Sequence, residues 1–453
     1  MLQLRFSPLF SFAITLALAV FLSCSSGGDN PDNNPNGPSG GGSCGGVDDG
    51  WPFDSSGEEL EPSPSLESLM EQEDDIHHFS KVIYIKYKNG SDPEIDNDYE
   101  YDGVNISYVG ENVTVMMRNG IGIYSFVLSG TTSNGSLLFT EDNNRKELYL
   151  NGVSITSSKG PAINHQGNRH VLVHLVNGKS NYLADGSNYK CSNFEENEQQ
   201  AKGAFFSEGK LEFEGSGSLE VKGKCNHAIA IDEDFEINNG KITISESVKD
   251  GIHANKIVKV KGGILDIKST GDAIQNEKDS IKIVGGKIKA LTTGIKSHGI
   301  VNDSMGILID GDAIVQISVK GNGSKGIKSA MWAELKGGKT SIKVNGTKHI
   351  DPADPEDEST PAGIKLADKL SIKGGELTIK SPGCKAKGMN IASGTISAGN
   401  TNIEADDDGI KVQPQGKLQI TGGTVYIKSA KKKAIDGEKD ETGGNVTLID
   451  GGF

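Results

Sequence analysis

The sequence is poor in cysteine, aromatic residues and arginine, and each shortage excludes a class of protein. Five cysteines among 453 residues are too few for a disulfide scaffold. Aromatic residues make up only 6% of the chain, which disfavours a β-propeller, whose blades of about 40 residues carry aromatic signatures. No arginine occurs from Asp250 onward, and no basic–aromatic motif is present. We therefore expect no nucleic-acid partner.

Helical periodicity is also missing. After residue 80 no segment repeats apolar residues every 3.6 positions over a long stretch, and 60 glycines are too many for helices. Apolar and polar residues instead alternate in short runs, such as KIVKVKGGILDIKS and KLQITGGTVYIKS. This period of two predicts short β-strands, so the folded part of the chain is predicted to be all-β.

Residues 1–23 have the pattern of an export signal. Arg5 is followed by the apolar run FAITLALAVFL, which leads directly into Cys24. The run is short and is followed at once by polar sequence, so it is a poor transmembrane helix. The segment FLSC resembles a bacterial lipobox and predicts a lipid anchor on Cys24, at the outer membrane or cell surface. Cleavage by an ordinary signal peptidase nearby is the alternative.

Residues 24–80 are predicted to form a disordered acidic tether. They contain 13 Asp and Glu residues but no Lys or Arg, and they begin with a segment built largely of Gly, Pro, Asn, Asp and Ser. Such a segment buries too little apolar surface to offset the entropy of ordering it. Residues 81–453 hold 45 basic and 48 acidic residues. The net charge of −15 therefore comes mainly from the tether.

A small residue followed by an apolar one recurs through the rest of the chain. From Gly203 the motifs are GAFF, HAIA, DGIH, DAIQ, TGIK, KGIK, AGIK, KGMN, DGIK and KAID, mostly 21–25 residues apart. Short strands at this spacing, joined by Gly turns, predict a solenoid of parallel strands. The predicted fold of residues 81–453 is a right-handed parallel β-helix, with equivalent residues of successive coils about 4.8 Å apart. We expect a monomer, with HIDPADPEDEST as a solvated loop.

Two sets of residues are predicted to shape each coil. Gly-Gly pairs mark corners that need a positive φ or a close backbone approach; they are Gly262-Gly263, Gly285-Gly286, Gly337-Gly338, Gly374-Gly375 and Gly422-Gly423. The isoleucines of the repeat are predicted to form an internal ladder of Ile252, Ile274, Ile295, Ile327, Ile364 and Ile410. The sequence leaves open whether Cys191 and Cys225 are bonded.

The element YLNGVSITSSKGPAI, together with DGIHA and the later Gly-Gly repeats, carries a family resemblance. From about Tyr99 to the C-terminus the chain resembles a bacterial family of exported carbohydrate-binding domain proteins. The resemblance implies a right-handed β-helix similar in fold to family-nine polysaccharide lyases. It also implies binding of calcium and of plant cell-wall polysaccharides, including pectic polyuronate.

The residue after each repeat isoleucine is predicted to lie in one outward-facing column. Its members are Ala230, His253, Gln275, Lys296, Lys328, Lys365, Asn390, Lys411 and Asp436. Stacked lysines repel one another, and such an array suits an anionic chain laid across the coils. We therefore predict that Lys296, Lys328, Lys365 and Lys411, headed by His253, line a polyuronate groove. The alternative is that these lysines only solubilise the surface.

The residue two positions before each isoleucine forms a second predicted column, which places Asp250 and Asp272 on adjacent coils. Two carboxylates at this spacing suit calcium, which accepts carboxylate and carbonyl oxygens in flexible geometry. The turn EADDDGI offers a second calcium site through Glu404, Asp406, Asp407 and Asp408. The alternative is turn chemistry, because Asp before Gly favours a tight turn without any metal. His227, His253 and His298 could be taken for a transition-metal cluster, but they occupy different columns or lack a close partner, so they are expected to be separate, solvent-facing structural residues.

Three functions follow from these features. The leading prediction is a non-catalytic, surface-anchored protein that captures acidic polysaccharide with the help of calcium. The second is a calcium-dependent lyase, in which Lys296 or Lys411 removes the proton beside a uronate carboxylate. The third is an adhesive or structural surface solenoid.

Overall fold

The computed structural model describes residues 81–195 and 198–451. The predicted signal of residues 1–23, the lipid site Cys24 and the tether of residues 24–80 lie outside the described residues, so these assignments stay predictions. Every regular element in the described ranges is a β-strand. Accordingly, these ranges contain no helix long and apolar enough to cross a membrane.

The strands are numbered along the chain. The first group is β1 (Val82–Lys88), β2 (Ser91–Asp96), β3 (Val104–Val109), β4 (Asn112–Met117), β5 (Tyr124–Thr132), β6 (Ser136–Phe139), β7 (Lys146–Thr156), β8 (Ile163–His165), β9 (Val171–Leu175) and β10 (Ser180–Ala184). The second group is β11 (Gly203–Ser207), β12 (Leu211–Gly215), β13 (Ser218–Gly223), β14 (His227–Ile231), β15 (Phe235–Ile237), β16 (Lys241–Ser247), β17 (Ile252–Ala254), β18 (Val258–Val260), β19 (Ile264–Ser269) and β20 (Ile274–Asn276).

The third group is β21 (Ile281–Ile283), β22 (Lys287–Thr292), β23 (Ile300–Asn302), β24 (Gly306–Ile309), β25 (Ile314–Val319), β26 (Lys325–Ser329), β27 (Trp332–Leu335), β28 (Lys339–Val344), β29 (His349–Ile350) and β30 (Glu358–Ser359). The last group is β31 (Ala362–Leu366), β32 (Lys369–Ser381), β33 (Lys387–Ile391), β34 (Ser393–Ala405), β35 (Ile410–Val412), β36 (Lys417–Ser429), β37 (Ile435–Asp436) and β38 (Glu438–Ile449).

The strands stack into a parallel β-solenoid of about 14 turns, which confirms the predicted fold class. One face, which we call the site sheet, has 14 strands in the order β3-β4-β6-β8-β11-β14-β17-β20-β23-β26-β31-β33-β35-β37. A 22-stranded sheet forms the remaining faces. Among the described strands, pairing is parallel except in the hairpins β1–β2, β3–β4 and β29–β30. Stacking of like strands gives every turn inside the solenoid two neighbouring turns, and the stacked turns together enclose a continuous apolar interior.

The inside of the solenoid is an aliphatic core, as the alternating pattern predicts. Ile252, Ile274, Ile327, Ile364 and Ile410 are fully buried, so these members of the predicted ladder are confirmed. Ile295 is a wrong assignment, because its side chain is 61% exposed.

The true ladder residue of that turn is Ile300, which pairs with Ile274 on one side and Ile327 on the other. The segment TTGIKSHGI contains two Gly-Ile pairs. The first pair lies in a turn, in which Lys296 has a φ of 56°.

The Gly-Gly corners are also confirmed. A Cβ on Gly262 would lie 2.3 Å from the carbonyl oxygen of Asn238 on the preceding turn, and Gly263 has a φ of 73°. A side chain on the first glycine of the pair would collide with the preceding turn, and a side chain on the second is disfavoured by the positive φ.

The glycine that precedes the buried isoleucine in several repeats is required for a different reason. A Cβ on Gly326 would lie 2.2 Å from Cγ2 of Ile342, inside the core.

Two segments extend beyond the regular turns. Cys191 and Cys225 form a disulfide with a Cα–Cα distance of 6.2 Å, which answers the question that the sequence left open. The insert HIDPADPEDEST is mostly exposed, as predicted, but it forms the hairpin β29–β30. This hairpin brings acidic side chains to the site sheet.

Candidate functional site

The outer surface of the site sheet carries a continuous column of side chains, one from each turn. In register, this column is Thr114, Leu138, Asn164, Phe206, Ala230, His253, Gln275, Val301, Lys328, Lys365, Asn390, Lys411 and Asp436. The predicted column is therefore correct except at one position. Lys296 does not belong to it, because Val301 occupies that place between Gln275 and Lys328.

A cavity of about 410 Å³ opens on this surface, and we call it the lysine cleft. Its floor includes Lys328 and Lys365, which are direct neighbours on β26 and β31. Lys296 and Lys325 also line it, from the turns beside these strands. The structure thus brings three predicted binding lysines together, although Lys296 arrives from a turn and not from the column.

Lys325 is a candidate binding residue that was not predicted from the sequence. Its side chain is buried, and its Nζ donates hydrogen bonds to the carbonyl oxygen of Gly323 at 2.6 Å and to Oγ of Ser359. Burial, together with the charges of the nearby Lys365 and Lys328, lowers the pKa of Lys325 to about 7. The sequence gave one indication of this residue, because Lys325 stands before Gly326 where some other repeats have Asp. The sequence did not indicate that the lysine side chain is buried.

Asp272 and His298 form the opposite wall of the lysine cleft. Burial, together with the charge of Asp250, raises the pKa of Asp272 to about 7. Oδ1 of Asp272 accepts the backbone N–H of His298 at 2.5 Å, and Nδ1 of His298 accepts the N–H of Lys325 at 3.0 Å. His298 is buried, and burial holds its pKa well below the usual range. The expectation that this histidine faces solvent was wrong.

The hairpin β29–β30 closes one side of the lysine cleft. Asp357 pairs with Nζ of Lys296, and Oγ of Ser359 accepts a hydrogen bond from Lys325. Lys348 pairs with Glu358 at 2.5 Å within the insert. The insert was predicted to be an ordinary solvated loop, but its ion pair and hydrogen bond reach two lysines of the cleft.

Lys411 lies in the same column but outside this cavity. Asn390 separates it from Lys365, and its Nζ pairs with Asp436 on the next turn. The four predicted binding lysines are therefore not one uninterrupted row.

Next to the lysine cleft, Asp250 lies between two histidines. Its Oδ2 is 3.1 Å from Nδ1 of His227 and 3.2 Å from Nδ1 of His253, and all three side chains are buried. Nε2 of His253 is 3.2 Å from Oε1 of Glu277. The expectation that His227 and His253 are separate and solvent-facing was wrong, because stacking of adjacent turns brings their rings to a centroid distance of 4.3 Å.

The charges in this group follow from its contacts. Burial lowers the pKa of His227 to about 4, so this imidazole is neutral at pH 7. Burial opposes a charge on His253 as well, but Asp250 and Glu277 outweigh it and raise the pKa of His253 to about 9. Burial also opposes the charge of Asp250, yet the histidine hydrogen bonds hold its pKa below the usual range.

Neither predicted calcium set presents a free group of oxygens. Asp250 and Asp272 do lie on adjacent turns, but Oδ1 of Asp250 accepts the N–H of Asp272 at 2.9 Å and its Oδ2 contacts two ring nitrogens. Calcium prefers oxygen ligands, so the residues around Asp250 do not fit it.

In the second set, Lys387 pairs with Asp407 and Asp408, each at 2.6 Å, and Lys431 pairs with Asp406 at 2.9 Å. Glu404 is exposed on β34, opposite Lys428. The three aspartates of this set are neutralised by lysines, so the set does not fit calcium either.

A family model described as "Carbohydrate-binding domain-containing protein" matches residues 109–397, more than half of the chain. A protein of Acetivibrio thermocellus with the same description is 31% identical over 124 residues, which make up 27% of this chain and 42% of that protein. The chain thus matches about two fifths of that relative's length.

A solved structure, described as a polysaccharide lyase-like protein from C. thermocellum in a gadolinium derivative, is also similar. It is 20% identical, and the match covers 68% of this chain and 96% of that one with a TM-score of 0.35.

Proposed function

Because the chain belongs to the family of carbohydrate-binding domain-containing proteins, we propose that it binds an acidic polysaccharide, such as pectic polyuronate, in the lysine cleft. The observation that carries this proposal is the environment of Lys325. Its side chain is buried, yet its hydrogen-bond acceptors are a carbonyl and a hydroxyl. A buried ammonium without a carboxylate partner is costly, so an anion entering the cleft would supply the missing counter-charge.

The two column lysines support the same ligand. Lys328 and Lys365 occupy equivalent positions on β26 and β31, at a strand spacing of about 4.8 Å. Their mutual repulsion is relieved if a carboxylate of the ligand meets each ammonium. A polyuronate repeats one carboxylate per sugar and would run along the solenoid axis, across successive turns.

The proposal extends to where the protein works. An anchor at Cys24 and a flexible tether up to residue 80 would hold the binding domain at the cell surface, and would let it reach insoluble polysaccharide. Because Asp250 already contacts two histidines, and Asp406, Asp407 and Asp408 already pair with lysines, the binding step is proposed to need no calcium.

Binding is expected to weaken as pH rises. At pH 6, below the pKa of about 7 of Lys325 and of Asp272, the lysine is mostly charged and the carboxyl is mostly neutral. At pH 8 the lysine is mostly neutral and the carboxylate charged, so the cleft is more negative. The uronates stay ionised at both values. Affinity for polygalacturonate, measured by affinity electrophoresis, is expected to be about ten-fold higher at pH 6.

A neutral cell-wall polysaccharide in the gel is the control for this measurement, with parallel runs in calcium and in chelator. Equal retention by the charged and neutral polymers would contradict the proposed acidic ligand. Equal affinity at pH 6 and pH 8 would show that Lys325 and Asp272 do not contact it. A strong dependence on added calcium would restore the calcium-assisted binding that the sequence predicted.

A second function, a polysaccharide lyase acting by β-elimination, is favoured by one observation. The reaction needs a base for the proton beside the uronate carboxylate and positive charge for the carbanion-like intermediate. With a pKa lowered to about 7, Lys325 is partly neutral at pH 7 and is surrounded by Lys328 and Lys365. Lys296 and Lys411, the bases considered from the sequence, pair instead with Asp357 and Asp436.

The formation of unsaturated uronate distinguishes the two functions. If the protein only binds polysaccharide, it will be retained by polygalacturonate at pH 6, and incubation with the polymer at pH 8 will give no rise in ultraviolet absorbance. A steady rise that is abolished in Lys325→Met would establish the lyase. Lys259→Met, which changes a lysine on another face of the solenoid, is the matched control and should leave either result unchanged.

A further inference from the structure

The histidine–carboxylate group beside the lysine cleft has the arrangement of a metal-binding site. Within the described residues, His227, Asp250 and His253 place their ligand atoms within 4.8 Å of one another. A fourth candidate ligand atom, Oε1 of Gln275, is 3.2 Å from Nδ1 of His253. These residues come from β14, β17 and β20 and from the turn before β17, so three successive turns of the solenoid contribute to the group.

The distances agree with tetrahedral coordination. Bonds of 2.0–2.1 Å from zinc to nitrogen or oxygen imply about 3.3 Å between neighbouring ligand atoms. Here the distances from Oδ2 of Asp250 to the two Nδ1 atoms are 3.1 and 3.2 Å. The two imidazole rings are stacked at a centroid distance of 4.3 Å, and Nδ1 of His227 accepts the backbone N–H of Asp250 at 3.3 Å, so both rings would turn to share one ion.

The groups around these ligand atoms would support a metal. Nε2 of His253 lies 3.2 Å from a carboxylate oxygen of Glu277, so it can donate its proton there and leave Nδ1 free for a metal. Oδ1 of Asp250 accepts the backbone N–H of Asp272, which directs Oδ2 towards the histidines. A carboxylate behind a histidine ligand is the usual outer-shell partner in zinc proteins, because it sets the tautomer and the ring orientation.

We propose that His227, Asp250 and His253 bind one divalent transition-metal ion, of which zinc is the representative, with Gln275 or water as the fourth ligand. Two imidazole nitrogens select this class of ion over calcium and magnesium, which prefer oxygen. The ion would link three turns of the solenoid beside the lysine cleft. It would also add positive charge near Gln275, whose side chain lines that cleft.

Titration of the metal-free, full-length protein with zinc, cobalt and calcium ions tests this proposal. After treatment with chelator, we expect isothermal titration calorimetry to show one zinc ion per chain that is lost on chelation, and no heat with calcium. Cobalt should give the intense visible absorption of tetrahedral coordination. No zinc binding, or a cobalt spectrum of octahedral type, would overturn the site.

Variants assign the binding to these residues. Asp250→Asn keeps the acceptor for Asp272 and is expected to lose the tight site. Glu277→Gln changes a side chain that is 42% exposed and is not a ligand, so the fold should persist while zinc affinity falls about 10–100-fold. His174→Gln, which changes a histidine paired with Glu214 elsewhere, is the control and should bind like the parent. Unchanged affinity in both Asp250→Asn and Glu277→Gln would assign the zinc to other residues and overturn the proposal.

Discussion

Reversing the charge of Lys328 and Lys365 together is expected to abolish retention on polygalacturonate. The two ammonium groups are stacked neighbours on the floor of the lysine cleft. In Lys328→Glu/Lys365→Glu, each introduced carboxylate would repel a uronate where the native lysine would bind it. Loss of one charge-assisted hydrogen bond costs about 1.5–3 kcal/mol. Two such losses correspond to a fall in affinity of about 100-fold or more, measurable by affinity electrophoresis or calorimetry.

The chain provides a matched control for this variant. Lys259 and Lys282 are also stacked neighbours, on β18 and β21 of the other sheet. Lys259→Glu/Lys282→Glu therefore makes the same change in net charge with the same stacking, away from the cleft. If the two double variants lose affinity equally, the lysines act only through the overall charge, and the surface-solubilising role considered from the sequence is correct.

The substitution Asp142→Asn is expected to cost about 3–5 kcal/mol of unfolding free energy. Asp142 and Lys146 are completely buried, and Oδ1 of Asp142 accepts a hydrogen bond from Nζ of Lys146 at 2.8 Å. Burial lowers the pKa of Lys146, so this ammonium depends on its carboxylate partner. Removing the carboxylate charge leaves an uncompensated cation in the core, whereas the asparagine can still accept the N–H of Asn144.

The double variant Asp142→Asn/Lys146→Met is the control for the buried charge. Methionine removes the cation and nearly fills its volume, so most of the lost stability should return. Urea unfolding followed by circular dichroism measures both variants. A loss below about 1 kcal/mol in Asp142→Asn would show that water or His165, whose Nε2 is 3.3 Å from Nζ, compensates the ammonium.

The fold was predictable because its cause is repeated along the chain. A period of two inside each coil and a spacing near 21–25 residues between coils determine which side chains face inward. The Gly-Gly corners followed from the same pattern, because a Cβ on Gly262 has no space beside the preceding turn. The outward column was correctly predicted wherever only one alignment of the repeat was available.

The predicted register was wrong at the turn where the repeat motif could be aligned in two ways. Gly294-Ile295 and Gly299-Ile300 both match the motif, and the spacing favoured the first. The asparagine two residues after the isoleucine would have identified the second, because Asn302 follows Ile300 as Asn276 follows Ile274. Nδ2 of Asn302 donates to Oδ1 of Asn276 at 2.7 Å, and this contact between turns was not part of the motif.

The site was predictable only in part, because its chemistry depends on burial and on contacts across turns. The sequence identified Lys328, Lys365 and Asp250, which lie in or beside the lysine cleft. It did not identify Lys325 as a binding residue, because its lowered pKa comes from burial beside other lysines. The insert was also misjudged, since nothing in HIDPADPEDEST indicates that Asp357 pairs with Lys296.

The sequence by itself determined the all-β class, the solenoid and the outward position of Lys328, Lys365 and Lys411, because these depend on local periodicity. Tertiary structure decided which of those residues act together. Asp250 contacts His227 and His253 because adjacent turns stack in register, and a stacking distance near 4.8 Å joins residues that are a full coil apart in the chain. Burial and these contacts together then set which of the groups are charged, and that property belongs to the folded chain alone.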